Sequence, residues 1–253
     1  MAKTRPDPAL LLERSPAREL IAAEPPSACH LVGGAIRDWL LESELAHDWD
    51  LVVDGQGAAY AARLARRLGG RVVEPGGTRF AIHRVVAAAM RIDIWDRHGT
   101  PLDSELARRD FTINSIALDL ADGTLYDPLR GCRDLAAGRL RANRPETFRD
   151  DPLRILRLIR FELDLPGFEA TAETLAAARH AVTLLPTVSP ERIREELDRI
   201  LSRRPAERLG GRLTELDLHP RLWAAETVAA NGSPSRRRGG DEPTEPPDRE
   251  QRP

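Results

Sequence analysis

The stretch LVGGAIRDWLL, residues 31–41, followed at 47–53 by HDWDLVV, decides the fold. An apolar run ends in the pair Gly33–Gly34, and a helical pattern begins near Ala35, so the order is strand, tight turn, helix. A second strand follows at once. Residues two apart on a strand share a face, so Asp48 and Asp50 project together while Trp49 points the other way. Two neighbouring carboxylates with no obvious internal counter-ion repel each other. Shared divalent cations relieve that repulsion, and oxygen ligands suit Mg²⁺. Alone, an Asp-x-Asp pair is usually a surface feature of a strand end, and a Gly-Gly pair is usually just a turn. Their combination is more specific, because glycines at a helix start let backbone N–H groups approach a phosphate beside the metal-binding carboxylates.

Working outward, residues 1–25 form a Pro-broken lead with a short helical stretch, ARELIAAE. After the second strand come an Ala-rich helix, GAAYAARLARRLGG, and two β-branched strands, TRFAIHRVV and MRIDIW. ELARRDFTINSIALDL then leads into a turn-rich link, ADGTLYDPLRGCRDL. Residues 26–140 thus read as an α/β head with a mixed sheet. Beyond them the spacing turns helical, with Leu153, Leu156, Ile159 or Arg160, and Leu163 three to four apart, so residues 141–230 read as an all-α neck. Further helices are predicted at TAETLAAARHAV and SPERIREELDRILS, the latter with Ser189 as N-cap and Pro190 in the first turn, and a weaker helical pair runs to about residue 230. Residues 231–253 are rich in Pro, Gly and charge, which predicts disorder.

Composition narrows the function classes. The 253 residues carry 38 basic and 40 acidic side chains, so a nucleic-acid site has to be a local basic surface. Lys3 is the sole lysine. Arginine suits phosphate recognition, although a GC-rich genome also explains its abundance. Cys29 and Cys132 supply neither a disulfide framework nor a zinc cluster and read as small buried hydrophobes. None of the six histidines has a partner at metal-ligand spacing. No stretch approaches the ~18 apolar residues of a membrane span, and no secretory leader is visible. A cytoplasmic location without membrane contact is expected.

The glycine turn and carboxylate pair together resemble the signature of polymerase-β-like nucleotidyltransferases. More narrowly, they resemble the bacterial and eukaryotic (class II) tRNA CCA-adding enzymes and the related bacterial poly(A) polymerases. Later motifs extend the resemblance over roughly residues 25–230. RRDFTINSIA (108–117) resembles the segment that contacts the incoming nucleotide; it implies Asp110 and Asn114 on the sugar side and Arg108 or Arg109 at the phosphates. Gly33, Gly34 and Arg37 join the nucleotide-binding set. YDPLRGCRDLAAGRLR is similar to the connector between head and neck, with Asp127 capping a turn. In RDDPLRILRLIRF, Asp151 and Arg154 are three apart and are expected on one helical face. By resemblance they form the protein template that selects CTP and ATP. Asp150 stands where the family usually has Glu. Arg157 and Arg160 continue the stripe, facing triphosphate or RNA, or else solvent. Asp93 is the candidate third metal carboxylate beside Asp48 and Asp50, with Asp96 and Asp103 as competitors. In SPERIREEL, Glu191, Arg192 and Glu196 are expected to brace helices.

The resemblance implies a Mg²⁺-dependent enzyme that adds C and/or A from CTP and ATP to the 3′ end of tRNA, releasing pyrophosphate. Two departures bear on this. The segment between MRIDIW and ELARRDF is short where many relatives carry a loop that helps the switch from C to A addition. Helical body and tail domains that grip the tRNA elbow are also not recognisable, so a homo-oligomer or partner subunit could take their place. A poly(A) polymerase is one alternative reading. A truncated relative that binds RNA or nucleotide without turnover is another.

Overall fold

The computed structural model describes residues 9–13, 17–41, 48–74, 82–88, 90–202, 206–216 and 218. Two short helices, α1 (Ala9–Leu12) and α2 (Ala17–Ala22), precede β1 (Cys29–Val32), α3 (Gly34–Leu40), β2 (Asp48–Val53) and α4 (Gly57–Arg67). Then come β3 (Arg71–Val73), β4 (Ile82–Ala87), β5 (Met90–Asp96), α5 (Leu102–Ala107) and a 3₁₀ turn over Thr112–Asn114. β6 (Ala117–Asp119), β7 (Leu125–Tyr126), α6 (Gly131–Ala136) and β8 (Arg139–Leu140) complete the head. The neck comprises α7 (Thr147–Asp150), α8 (Arg154–Asp164), β9 (Glu169–Ala170), α9 (Ala172–Ala181) with a 3₁₀ extension to Thr187, α10 (Pro190–Leu201) and α11 (Ala206–Glu215).

The sheet is mixed, as the sequence predicts, with strand order β3-β4-β5-β2-β1-β6-β7. Within this seven-stranded sheet only β2 and β5 run parallel, with Asp50 paired to Asp93 in register; β8 and β9 form a separate parallel pair. Alternation works on β2 as expected: Trp49, 1% exposed, enters the core, while Asp48 and Asp50 take the other face. The core is continuous from head to neck. Phe111 of the head stacks edge-on against Phe161 of α8, with centroids 5.6 Å apart, and lies 6.2 Å from Phe148 of α7. Both cysteines are buried and free, and burial pushes the Cys29 thiol up to about 12.

Several elements depart from the sequence reading. The three-residue β3 is too short to leave a pattern. The predicted turn-rich link contains β7 and α6, the latter capped by Asp127, whose carboxylate accepts from Gly131 N (2.6 Å) and Cys132 N (2.9 Å). Ser189 occupies the N-cap of α10, but its side chain makes no capping bond; Pro190 sets the first turn instead. The first half of TRFAIHRVV, the second member of the predicted C-terminal helical pair and the predicted disordered tail lie outside the described residues. No helix among the described residues is long and apolar enough to cross a membrane.

Candidate active site

One wall of a cavity of about 940 Å³ is the face of β2 and β5 carrying Asp48, Asp50 and Asp93; the opposite wall is α8 with Asp151 and Arg192 at its rim. Every nucleotide-binding and metal candidate named from the sequence borders this cavity: Gly33, Gly34, Arg37, Asp48, Asp50, Asp93, Arg108, Arg109, Asp110, Asn114, Asp151, Arg154 and Arg157. The competitors of Asp93 do not. Asp96 is spent on the N–H groups of Gly55 (2.9 Å) and Gly57 (3.3 Å) at the start of α4, and Asp103 bonds the Tyr126 hydroxyl.

The carboxylate pair does have internal counter-ions, contrary to the sequence reading. Arg91 donates to Asp48, Arg109 to Asp50 Oδ2 at 3.3 Å, and Arg84 forks onto both oxygens of Asp93 at 2.7 and 2.8 Å. Arg84 and Arg91 are the β4 and β5 register partners of Asp93 and Asp48, which sequence spacing alone does not reveal. Burial lifts the Asp50 carboxyl above its ordinary pKa and Arg109 opposes the shift. Among the described residues no group of three or more His, Cys, Asp or Glu side chains could hold a metal ion by itself. The donor set still suits Mg²⁺, which usually takes one or two carboxylates and completes its shell with water and substrate phosphates. Asp48 and Asp50 meet that requirement from one strand face.

Gly33 makes the turn into α3 with φ +79°. A Cβ there would lie 3.1 Å from Asp50 Oδ2 and 3.2 Å from Arg109, so the glycine also makes room for the carboxylate.

Behind this edge runs a hydrogen-bonded chain. Arg37 donates to Asn114 Oδ1 (2.7 Å), Asn114 Nδ2 to Asp110 Oδ1 (3.0 Å), and Arg157 forks onto Asp110 Oδ2 (2.6 and 2.9 Å). Burial alone would raise the Asp110 carboxyl; Arg157, Asn114 and the Phe111 N–H reverse that and leave it well below the usual carboxylate range. Asp110, Asn114 and Arg157 border the cavity but are bonded to one another. Arg160 is likewise no solvated stripe: it pairs with Glu196 (2.5 Å) and Asp164 (3.1 Å) and lies 4.8 Å over Phe161. Phe161, Arg84, Arg91 and Arg192 are among the bordering or supporting residues that sequence reasoning passed over as site residues.

Asp151 and Arg154 do not share a helical face as predicted. Asp151 is extended (φ −149°, ψ 98°) and ends α7, and α8 starts only at Arg154. Pro152 explains the break, because a residue before proline is pushed out of the α region. Asp151 accepts from Leu153 N (3.3 Å) and from Arg192 (2.9 Å). Arg154 donates to the carbonyls of Arg108 (2.7 Å), Thr147 (3.2 Å) and Arg109 (3.4 Å). Asp150 turns its carboxylate to Arg144 at 2.5 Å and acts on Arg154 only through its charge.

Comparison with known proteins follows the same division. Residues 29–141 match the Poly A polymerase head domain, and residues 167–223 match the probable RNA and SrmB-binding site of polymerase A. The CC-adding tRNA nucleotidyltransferase of Synechocystis is 37% identical over 72% of this chain and 43% of its own length. The multifunctional CCA protein of Xylella fastidiosa is 41% identical over 68% of this chain and 44% of its own. The Thermotoga maritima CCA-adding enzyme, solved in complex with tRNA, superposes with a TM-score of 0.74 at 32% identity, covering 84% of this chain and 54% of that one. The chain therefore spans about half the length of the relatives it matches. Both family matches and the backbone superposition agree, and the chain belongs to the class II CCA-adding enzyme and poly(A) polymerase family.

Proposed function

We propose that the chain is a Mg²⁺-dependent nucleotidyltransferase that extends the 3′ end of tRNA with C and/or A from CTP and ATP. The observation that carries this is the division of one cavity between a carboxylate edge, Asp48 and Asp50, and a base-reading rim, Asp151 and Arg154. The reaction is attack of the RNA 3′-hydroxyl on the α-phosphate, with pyrophosphate leaving. Asp48 and Asp50, with Asp93 at their side, would hold the metal, which when bound lowers the pKa of the hydroxyl and screens charge at phosphorus. Arg109 beside Asp50 and the Gly33–Gly34 turn position the triphosphate, an electrostatic and orienting task.

Base choice follows from hydrogen-bond complementarity. The Asp151 carboxylate accepts from the exocyclic amino group that C and A share at the Watson–Crick edge. Arg154 uses three of its five N–H donors on carbonyls, and two remain for the ring nitrogen beside that amino group. U and G present the opposite pattern.

The short segment between MRIDIW and ELARRDF is a tight turn pinned by Asp54, which takes Gly99 N at 2.8 Å and Arg97 at 2.9 Å, and it leaves the choice among C, A and CCA addition to the incorporation assay. The test is incorporation of each labelled nucleotide into tRNA ending at the discriminator base, at C and at CC. Two C additions, or C, C and A in order, support the proposal. Long A tails would make the chain a poly(A) polymerase, and no incorporation by folded protein would leave it a binding relative.

A further inference from the structure

The two base-reading residues are not paired with each other, and each is fixed by something the motif does not contain. Arg154 is anchored by main-chain carbonyls. Asp151 sits in the link between α7 and α8; its carbonyl accepts from Arg154 N (3.1 Å), but among the described residues the only local hydrogen bond to its carboxylate is a long one from Leu153 N (3.3 Å). The acidic neighbour, Asp150, is occupied by Arg144. The remaining hold on Asp151 comes from 41 residues away, where Arg192 donates to Oδ2 at 2.9 Å.

Arg192 is well placed to aim another side chain. It lies in the first turn of α10, after Pro190 and beside Ile193, which is 4% exposed. One turn on, Glu196 ties α10 to α8 through Arg160 at 2.5 Å. The base of Arg192 is therefore rigid, while its guanidinium is half exposed at the cavity rim. A carboxylate oxygen has two acceptor sites. Arg192 can hold Oδ2 in place and still leave the carboxylate able to accept from a nucleobase.

We propose that Arg192 is the positioning residue of the base-selecting site, setting the direction in which Asp151 presents its carboxylate. The assignment rests on the reading of Asp151 and Arg154 given under Proposed function. Loss of Arg192 leaves Asp151 free to rotate, so the amino group of C or A is no longer met in one geometry. Discrimination against U then falls more than turnover does.

The experiment compares kcat/KM for CTP and UTP on tRNA ending at the discriminator base, for the wild type, Arg192→Met and Arg192→Lys, alongside thermal unfolding. The pair is surface-exposed, so the unfolding midpoint is expected to stay close to wild type. The CTP-over-UTP ratio is expected to fall roughly 10- to 100-fold in Arg192→Met, mainly through KM for CTP, with partial recovery in Arg192→Lys. An unchanged ratio, or an equal fall with both nucleotides, would overturn the assignment and leave Arg192 a helix brace. A wild type with no preference for CTP would overturn the base-selection reading itself, and the assignment with it.

Discussion

Gly33 leaves a side chain little room: its φ is +79°, and an added methyl would press on the Asp50 carboxylate at 3.1 Å and the Arg109 guanidinium at 3.2 Å. Gly33→Ala is expected to cost ~1–3 kcal/mol of stability from backbone strain and to lower kcat/KM at least tenfold by displacing Asp50, as unfolding and incorporation assays would show. Asp110 is the opposite case, a buried charge held by its partners. Asp110→Asn strands Arg157 and is expected to cost roughly 3–5 kcal/mol in denaturant titration. Because the folded pKa of Asp110 is depressed, its stabilising contribution is complete above its unfolded value of about 3.9 and fades as pH falls toward the folded value. The gap between wild type and variant should therefore narrow below about pH 4. At this scale Gly33, Gly34, Asp48 and Asp50 were legible because their spacing follows strand and turn geometry, whereas Asp110 was named only through the resemblance of its segment. Their arginine partners were not. Arg84 and Arg91 meet Asp93 and Asp48 only through strand pairing, and Arg157 reaches Asp110 from 47 residues away.

The elements show how a connector supports chemistry. α6 begins under the Asp127 carboxylate, and a Cβ on Gly131 would lie 2.1 Å from the Thr112 carbonyl. The first turn of α6 therefore packs flush against the 3₁₀ turn that carries Asn114. Asp127→Ala is expected to cost ~0.5–2 kcal/mol as a lost cap, measurable by thermal unfolding. Gly131→Ala should also weaken nucleotide binding, because Asn114 moves with its turn. α8 was readable from its apolar period and α10 from Pro190 at its start, while the Thr171 side chain that caps α9 was not singled out in the sequence. The break before α8 is written in Pro152, which pushes Asp151 out of the α region; the sequence reading follows the apolar period instead and expects Asp151 and Arg154 on one helical face. Arg109 also joins two elements, with its side chain on Asp50 and its carbonyl on Arg154.

At the scale of the molecule, head and neck share one core. Phe161 of α8, 4% exposed, packs on Phe111 of the head and is approached by Arg37, Arg157 and Arg160. The two units are expected to unfold in a single calorimetric transition, and Phe161→Ala to lower it by about 3–5 kcal/mol. Two separated transitions would show that the core is not shared in energy. A mixed sheet followed by helices was legible from the change of apolar period near residue 150. The shared core was not, since it depends on three phenylalanines 13 to 50 residues apart.

The most direct test of the central claim is extension of tRNA ending at the discriminator base by α-labelled CTP, with and without Mg²⁺, comparing wild type with Asp50→Asn. The expected result is Mg²⁺-dependent extension by the wild type that falls at least 100-fold in the variant, while the variant stays folded and the site no longer performs transfer. Extension that persists in Asp50→Asn, or that needs no divalent cation, would place the chemistry elsewhere and contradict the assignment of this cavity.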